Sequence, residues 1–273
     1  MNDILDRLLS AHVKALASHP DRPFVCATWA QSANGMIAAA PGVRTLISGE
    51  ESMQMTHMLR AAHDAILVGV GTALADDPRL SCRLKQCDIA TVDEALVRHG
   101  IDAPRKTDRS PVPVILDPKL RTPAKSKFIE DVHRRNVACR PVVFFAERGV
   151  DQIDDTSQKA LAELVQLESA PVEARKAEHA QHSSTLLSLP SVLQTLHKQH
   201  VSSVMVEGGA AVLSSFLKSG LCDLVVVTIS PKLFGSGLTL ADRSDYGSFP
   251  TMDLSDPKWI LCGEDIVLVG APQ

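Results

Sequence analysis

The sequence contains no long apolar run. Its longest candidates, such as LVVVTI at 224–229, have the length of strands, whereas a membrane-spanning helix needs roughly 20 apolar residues. A secretory signal is also missing, because the start MNDILDRLLS carries acidic residues and lacks a basic segment followed by an apolar one. We therefore expect no membrane span and a cytoplasmic protein.

Positive charge is not in excess either. The chain has 28 Lys and Arg against 32 Asp and Glu, which gives a net charge of −4. A basic surface for nucleic acid is therefore not indicated. The hydrophobic fraction of 45% and the charged fraction of 22% are typical of an ordinary globular protein.

Metal-ligand spacings are absent. No two of the six cysteines have C-x-x-C spacing, and the ten histidines supply no spaced ligand pair. Several cysteines lie in apolar runs of strand length, where a thiol behaves as a small hydrophobic group. We expect buried free thiols and no bound metal.

Apolar runs of strand length alternate with segments of helical spacing. Most of the runs are continuously apolar, as in buried parallel strands, and the alternation is typical of a sheet covered by helices on its faces. The sequence predicts an α/β fold with a mostly parallel central sheet and helices on both faces. Strands are predicted at 24–30, 65–70, 112–116, 141–146, 203–206, 224–229 and 265–270, and helices at 2–18, 50–61, 191–199 and 210–219.

Two stretches interrupt this alternation, near 85–110 and 147–187. Charged, Gln, His and Ser residues replace the large apolar ones there, although 160–167 has the pattern of a short helix. The chain shows no internal repeat and no domain-sized change in composition. We interpret residues 1–273 as a single domain and the two stretches as surface insertions.

The first candidate site follows the strand at 65–70, because open α/β sheets bind ligands at the carboxyl ends of their strands. The strand leads into Gly69 and Gly71, which permit close backbone approach, and then into Thr72 and Asp76. The hydroxyl and carboxylate would suit a ribose or a nearby backbone group. The same residues, followed by Pro78, would equally form a turn and cap a helix.

The second candidate site follows the strand at 203–206. That strand is followed by Glu207, the pair Gly208 and Gly209, and a helix whose first residues are small. A helix start of this kind offers free N–H groups to an anion such as a phosphate. Glu207 would hydrogen-bond a substrate amine or hydroxyl, or would satisfy backbone donors. Neither G-x-G-x-x-G nor GxxxxGK[ST] is present.

Four blocks of the chain stand in a characteristic order, namely ATWAQSANGMIAA (27–39), RTLISGEES (44–52), LRAAHDAILVGVGTALADDPRLSCR (59–83) and VEGGAAVLSSFLKSGLCDLVVVTISPKLFGSG (206–237). Together they resemble the reductase family of riboflavin biosynthesis. The resemblance implies a dihydrofolate-reductase-like fold, NADPH as cofactor, and a homodimer. It also implies reduction of the ribosyl chain of 2,5-diamino-6-ribosylamino-4(3H)-pyrimidinone 5′-phosphate to a ribityl chain.

The zinc deaminase to which bacterial members are commonly fused is not indicated. Neither its H-x-E motif nor its P-C-x-x-C motif is present in the sequence. The chain therefore resembles the stand-alone fungal and archaeal enzymes, whose substrate still carries its 2-amino group.

The resemblance also implies roles for individual residues. The planar guanidinium groups of Arg60 and Arg83 suit a 5′-phosphate, which they could bind through two hydrogen bonds each. From spacing alone, Arg60 could equally lie on a solvent-facing side of a helix, and Arg83 could end a loop. Glu207 is the expected catalytic residue, holding the substrate or assisting proton movement. The cofactor contacts implied are Ala30, Thr72, Asp76, Gly208, Gly209, Ala210, Ala211 and Val212, and the substrate contacts are Arg44, Arg60, Leu80, Arg83 and Glu207.

Three positions depart from the family pattern. Asn34 stands where relatives often have Asp in a turn, and Thr28 stands where some bacterial members carry Lys, so no lysine is available there as proton donor. Pro118 takes a place often filled by Ser beside the adenosine end of the cofactor. Lys119 or Arg121 would then bind the 2′-phosphate.

The inferred mechanism is direct hydride transfer to ribose C1′, with the sugar opened to an imine and with positioning supplying much of the catalysis. Two alternatives remain, since fold does not fix substrate. One is a pterin or folate reductase, which would have no use for the phosphate anchors Arg60 and Arg83. The other is a non-catalytic dimeric NADPH-binding protein.

The sequence also suggests where the two copies of a homodimer would meet. The strand at 224–229 and PKLFGSG at 231–237 are expected to form part of that interface.

Overall fold

The computed structural model describes residues 2–40, 42–43, 45–101, 109–136, 139–147, 155–173, 186–240 and 251–273, with only the backbone at 155–158. The helices are α1 Asn2–Ser18, α2 Glu50–Ala61, α3 Val70–Asp76, α4 Gln86–Arg98, α5 Lys127–Arg135, α6 Asp155–Leu164, α7 Leu189–Lys198 and α8 Ala210–Lys218. The strands are β1 Phe24–Ser32, β2 Met36–Ala38, β3 Ala65–Gly69, β4 Val112–Leu116, β5 Val142–Ala146, β6 Gln166–Ala170, β7 Ser203–Glu207, β8 Leu224–Ser230, β9 Leu238–Thr239, β10 Leu254–Cys262 and β11 Asp265–Pro272.

The main sheet has nine strands in the order β10-β11-β8-β1-β7-β3-β4-β5-β6. All neighbouring pairs from β8 to β6 are parallel, and β11 is antiparallel to both β8 and β10. The predicted mostly parallel sheet is confirmed. β2 and β9 form a separate two-stranded sheet.

Successive residues of the central strands point to opposite faces of the sheet. In β1, Phe24 and Cys26 join the core formed with α1, α2 and α4, whereas Val25 and Ala27 join the core formed with α7 and α8. A third cluster, between β3, β4, β5 and the helices α5 and α6, lies on the same face as the first. Helices therefore cover both faces, as predicted.

The segment 85–110 differs from the predicted surface insertion. It contains α4, whose buried face packs on α1 and α2 through Ile89, Val92, Ala95 and Leu96. Apolar residues at helical spacing were present there, but the charged residues between them obscured the pattern. Residues 102–108 lie outside the described part of the chain.

The second predicted insertion, 147–187, contributes to the sheet. It contains α6 and the edge strand β6, whose residues are largely exposed or half-buried. A polar edge strand carries no apolar run, so periodicity could not reveal it. The short helix predicted at 160–167 ends at Leu164, and residues 175–184 lie outside the described residues.

The apolar strand suggested for a dimer interface is covered within the chain itself. β8 lies between β11 and β1, and its first four residues are buried. The large apolar side chains left exposed nearby are Leu233 and, on the C-terminal hairpin, Trp259, Leu261 and Ile266. None of the helices in the described part of the chain combines the length and apolar character that crossing a bilayer requires.

Candidate active site

A cavity of about 1240 Å³ lies at the carboxyl ends of β1, β7, β3 and β4. Parallel strands bring the loops that follow them to one edge of the sheet, which is where α/β proteins bind ligands. Arg44 lies outside the described residues. All the other predicted site residues line this cavity, namely Ala30, Arg60, Thr72, Asp76, Leu80, Arg83, Glu207, Gly208, Gly209, Ala210, Ala211 and Val212.

Two strand-to-helix turns lie side by side on the cavity wall, because β3 and β7 are neighbours in the sheet. The turn after β3 leads into α3, and the turn after β7 leads into α8. The backbone N–H of Gly209 donates a hydrogen bond to Thr72 Oγ1 at 2.9 Å, which joins the two turns. The two glycine-containing motifs therefore form one structural unit.

Glycine is required where the two turns touch. A Cβ atom added to Gly69 would lie 2.7 Å from Val212 Cγ2, closer than real Cβ contacts allow. One added to Gly208 would lie 3.3 Å from Val212 Cβ. The missing side chains thus allow the start of α8 to approach the end of β3.

α3 ends in an irregular segment that turns towards the substrate side of the cavity. Asp77 and Leu80 have positive φ values of 40° and 54°, and the Leu80 side chain is buried. Asp77 Oδ1 accepts a hydrogen bond from the Lys127 backbone N–H at 2.9 Å. This contact fixes the segment that carries Arg79 and Arg83.

Arg60 and Glu207 form a two-pronged ion pair inside the cavity. Arg60 Nε donates to Glu207 Oε1 at 2.7 Å and Nη2 donates to Oε2 at 2.6 Å, while Nη1 donates to the Ser81 carbonyl at 3.1 Å. Only 11% of the Arg60 side chain and 19% of the Glu207 side chain are exposed. Arg60 is therefore not the solvent-facing residue that spacing alone allowed.

The charge of Arg60 is sustained by its partner. Burial disfavours the charged guanidinium, but the charge and hydrogen bonds of Glu207 outweigh burial and raise the pKa of Arg60. Three of the five N–H groups of Arg60 are engaged in the ion pair and the Ser81 contact. Its main role in this state is to hold the Glu207 carboxylate.

Arg83 and Arg79 form a positive region on the same wall. Among the described residues neither forms an ion pair, and both side chains line the cavity. Desolvation, followed by the like charges of Arg60 and Arg79, lowers the pKa of Arg83. Burial, followed by the charges of Arg60 and Arg83, lowers the pKa of His57 to about 4, so His57 is neutral. An anion would relieve the repulsion between these guanidinium groups.

Two threonines complete the wall beside Glu207. Thr28 on β1 pairs with Glu207 on β7, and Thr228 on β8 pairs with Ala30 on β1. Both side chains are buried, and both residues line the cavity. Sequence reasoning did not select Thr228 or Arg79. Signals for them were present, namely a hydroxyl inside the apolar run LVVVTI and an arginine four residues before Arg83.

Asn34 does more than an aspartate could do in the turn after β1. Its Oδ1 accepts hydrogen bonds from Ser32 Oγ at 2.7 Å and from the Phe234 N–H at 3.2 Å. Its Nδ2 donates to the Phe234 carbonyl at 2.7 Å, and a carboxylate has no such donor. The amide thereby joins this turn to the segment between β8 and β9.

The loop after β4 brings two cations to the rim of the cavity. Lys119 and Arg121 are exposed and line it together with Pro118. Buried Asp117 anchors this loop, because its Oδ2 accepts hydrogen bonds from the Thr122 N–H and Oγ1, both at 2.7 Å. Arg121 Nε lies 4.0 Å from Asp117 Oδ1 and is held only loosely.

Comparison with known proteins places this site among reductases. Residues 23–268 match the family described as the RibD C-terminal domain. The 2,5-diamino-6-ribosylamino-4(3H)-pyrimidinone 5′-phosphate reductase of Candida glabrata is 33% identical over 255 residues, covering 92% of this chain and 90% of that protein. The riboflavin biosynthesis protein RibD of Aquifex aeolicus is 28% identical over 248 residues, and the match covers 91% of this chain but only 57% of that protein.

The fold has solved relatives as well. The riboflavin biosynthesis reductase Rib7 of Saccharomyces cerevisiae superposes with a TM-score of 0.66 at 25% sequence identity. The superposition covers 93% of this chain and 91% of that structure. The predicted fold class is thus confirmed at the level of the whole chain.

Proposed function

The chain belongs to the family of the RibD C-terminal domain, and on that premise we propose that it is an NADPH-dependent reductase of riboflavin biosynthesis. It reduces the ribosyl side chain of 2,5-diamino-6-ribosylamino-4(3H)-pyrimidinone 5′-phosphate to the ribityl form. The observation that carries this proposal is one cavity lined by the joined glycine turns, a fixed carboxylate, and two arginines outside any described ion pair.

The residues of the joined turns suit NADPH. α8 begins at the cavity behind Gly208 and Gly209, and a helix N-terminus with small residues favours a pyrophosphate. Close packing against Gly69 leaves no side chain between this helix start and the ligand. Gly208 to Val212 would hold the phosphates, Thr72 and Asp76 would contact the adjoining ribose, and Ala30 would contribute its backbone.

NADPH selectivity is assigned to Lys119 and Arg121. Replacing both with glutamine should lower the ratio of kcat/KM for NADPH to that for NADH by roughly 10- to 100-fold, because charge-assisted hydrogen bonds to the 2′-phosphate are lost. Steady-state kinetics with each coenzyme measures the ratio. Unchanged activity with NADH serves as the internal control, and an unchanged ratio would remove these residues from the 2′-phosphate site.

The substrate phosphate is assigned chiefly to Arg83, with Arg79 beside it. Both guanidinium groups line the cavity without an ion pair among the described residues, whereas Arg60 is occupied by Glu207. Leu80 lies between Arg79 and Arg83 on the irregular segment after α3 and closes the pocket with apolar surface. This distribution revises the expectation that Arg60 and Arg83 both anchor the phosphate, because it leaves that role to Arg83 with Arg79.

Arg83→Gln should raise the KM for the phosphorylated substrate by roughly 10- to 100-fold, since a charge-assisted hydrogen bond is lost. The KM for NADPH should remain that of the native enzyme. Arg98→Gln is the matched control, because Arg98 is an exposed arginine paired with Asp6 outside the cavity. An equal effect of Arg83→Gln on the dephosphorylated substrate would contradict a phosphate contact.

NADPH held by the joined turns would supply the hydride that reduces C1′ of the opened ribosyl chain, and the imine nitrogen would take up a proton as the C=N bond is reduced. Arg60 fixes Glu207 through both carboxylate oxygens, so the carboxylate is held in one orientation towards the pyrimidine and ribose. A carboxylate held in this way is already oriented, and its remaining lone pairs can accept hydrogen bonds from substrate N–H or O–H groups. The chain contributes chiefly by positioning the substrate.

The deciding experiment follows NADPH oxidation by absorbance with purified protein and freshly prepared ribosylaminopyrimidine phosphate. Oxidation with this compound and none with dihydrofolate is the expected result. Oxidation with dihydrofolate instead would favour a pterin or folate reductase. Binding of NADPH without oxidation of either compound would favour a non-catalytic NADPH-binding protein.

A homodimer is also part of the proposal. On one face of the C-terminal hairpin, Trp259 is 63% exposed, Leu261 78% and Ile266 41%, and Leu261 lies opposite Ile266 in the register. An apolar face of this kind favours association with a second copy. A monomeric mass in solution would contradict it.

The proposed location of the enzyme is the cytoplasm. Fractionating cells and detecting the protein in each fraction with an antibody tests this location.

A further inference from the structure

The hydroxyl of Thr228 has no partner within the described part of the protein. Its residue is 3% exposed and lines the cavity. On the same sheet face its neighbours are Val226 two residues earlier, Val267 opposite on β11, and Ser230 two residues later, whose buried Oγ has no described partner either. Its hydroxyl oxygen is not fully buried, so it opens on the cavity and is available to hydrogen-bond a polar group of a ligand.

The side chain of Thr228 lies on the Glu207 side of the sheet. Thr28 is paired with Glu207, and Ala30 is paired with Thr228, which gives all four residues the same orientation on adjacent strands. This face is the one covered by α2, which carries Arg60. α8, whose start forms part of the cofactor turns, packs on the opposite face.

We propose that Thr228 is a substrate-specificity residue whose hydroxyl hydrogen-bonds the pyrimidine ring. A threonine hydroxyl both donates and accepts, so it suits a ring that carries amino and oxo groups. The fixed Glu207 carboxylate can only accept, whereas the hydroxyl of Thr228, like that of Thr28 on the same face, can also donate. The inference rests on the proposed function, because it takes the diaminopyrimidinone as the ligand.

Thr228→Val removes the hydroxyl and keeps the branched shape of the side chain. We expect the KM for the pyrimidine substrate to rise roughly three- to tenfold, as for one neutral hydrogen bond, with the KM for NADPH unchanged. Thr228→Ser should restore the native value. Thr91→Val is the matched control, because Thr91 lies on α4 outside the cavity, is half-buried, and donates a hydrogen bond to the Cys87 carbonyl.

Thermal unfolding of the ligand-free protein separates substrate recognition from a structural role. The Tm of Thr228→Val should not fall, since the lost hydroxyl has no protein partner in the described chain. A lower Tm with unchanged KM would show a structural role and overturn the inference. So would an increase in the KM for NADPH alone.

The native enzyme distinguishes the two proposals. If the native enzyme reduces the substrate and the Thr228→Val variant has the native KM for it, the proposed function stands and the inference about Thr228 falls. If native protein neither oxidises NADPH with this substrate nor binds the substrate in calorimetry, the proposed function falls, and the inference falls with it.

Discussion

Replacing Glu207 with alanine is expected to lower the free energy of unfolding by about 3–5 kcal/mol, because Arg60 would be left as a buried, unpaired cation. Both side chains of the pair are largely buried. The same change should lower kcat/KM by at least about 100-fold, since it removes a charged substrate contact and releases the residue that oriented it. Urea unfolding and NADPH oxidation measure the two effects.

A double variant separates the two losses. Arg60→Met with Glu207→Leu replaces the ion pair by apolar side chains of similar size, which often restores stability. We expect the double variant to unfold near the native midpoint and to remain inactive. Recovery of activity together with stability would mean that the pair serves the fold only.

A second ion pair provides a matched control. Arg22 donates to Asp223 through Nη1 at 2.8 Å and Nη2 at 2.7 Å, and both side chains are similarly buried. Neither residue lines the cavity. The Asp223→Ala variant should therefore lose about as much free energy of unfolding as the Glu207→Ala variant. Its folded fraction should keep the native kcat/KM. Comparable loss of activity in this variant would indicate that global destabilisation explains the Glu207 result.

Gly69→Ala is expected to lower kcat/KM for NADPH by about 100-fold, because small displacements at a binding site have effects of that order. The new methyl group would lie 2.7 Å from Val212 Cγ2. The start of α8 must then move away from β3, and overpacking of this kind costs about 1–3 kcal/mol of stability. Kinetics at saturating substrate with varied NADPH measures the effect.

Removing the opposing methyl groups should reverse this loss. Val212→Ala in the Gly69→Ala background deletes the atom that clashes, so most of the NADPH affinity should return. Gly235→Ala is the control, since a Cβ there meets nothing within 4 Å. No rescue by Val212→Ala would mean that Gly69 is needed for another reason than this contact.

The central part of the fold could be predicted from sequence because it is buried on both faces. β3, β7 and β8 are continuous apolar runs, and their number and order along the chain were evident. β10 was not evident, because the edge strand carries exposed Trp259 and Leu261 among polar residues. Edge strands are determined by pairing with their neighbour, which periodicity does not report.

The residues of the candidate site could be predicted from the sequence, but the contacts between them could not. Glycines at strand ends and the acidic Glu207 stand out in the sequence. The pairing of Glu207 with Arg60 spans 147 positions and depends on where α2 packs on the sheet. Thr228 was concealed by the apolar run around it, and its buried position in the cavity wall is what distinguishes it.

The order of the strands constrains how the chain can fold as it is synthesised. β1 is flanked by β7 and β8, so this early strand has no sheet neighbour until residues beyond 200 have emerged from the ribosome. β3, β4, β5 and β6 are consecutive neighbours and can assemble first. Because contacts between distant segments form slowly, the insertion of β7 between β1 and β3 is the step expected to join the two parts of the sheet and to bring Glu207 to Arg60.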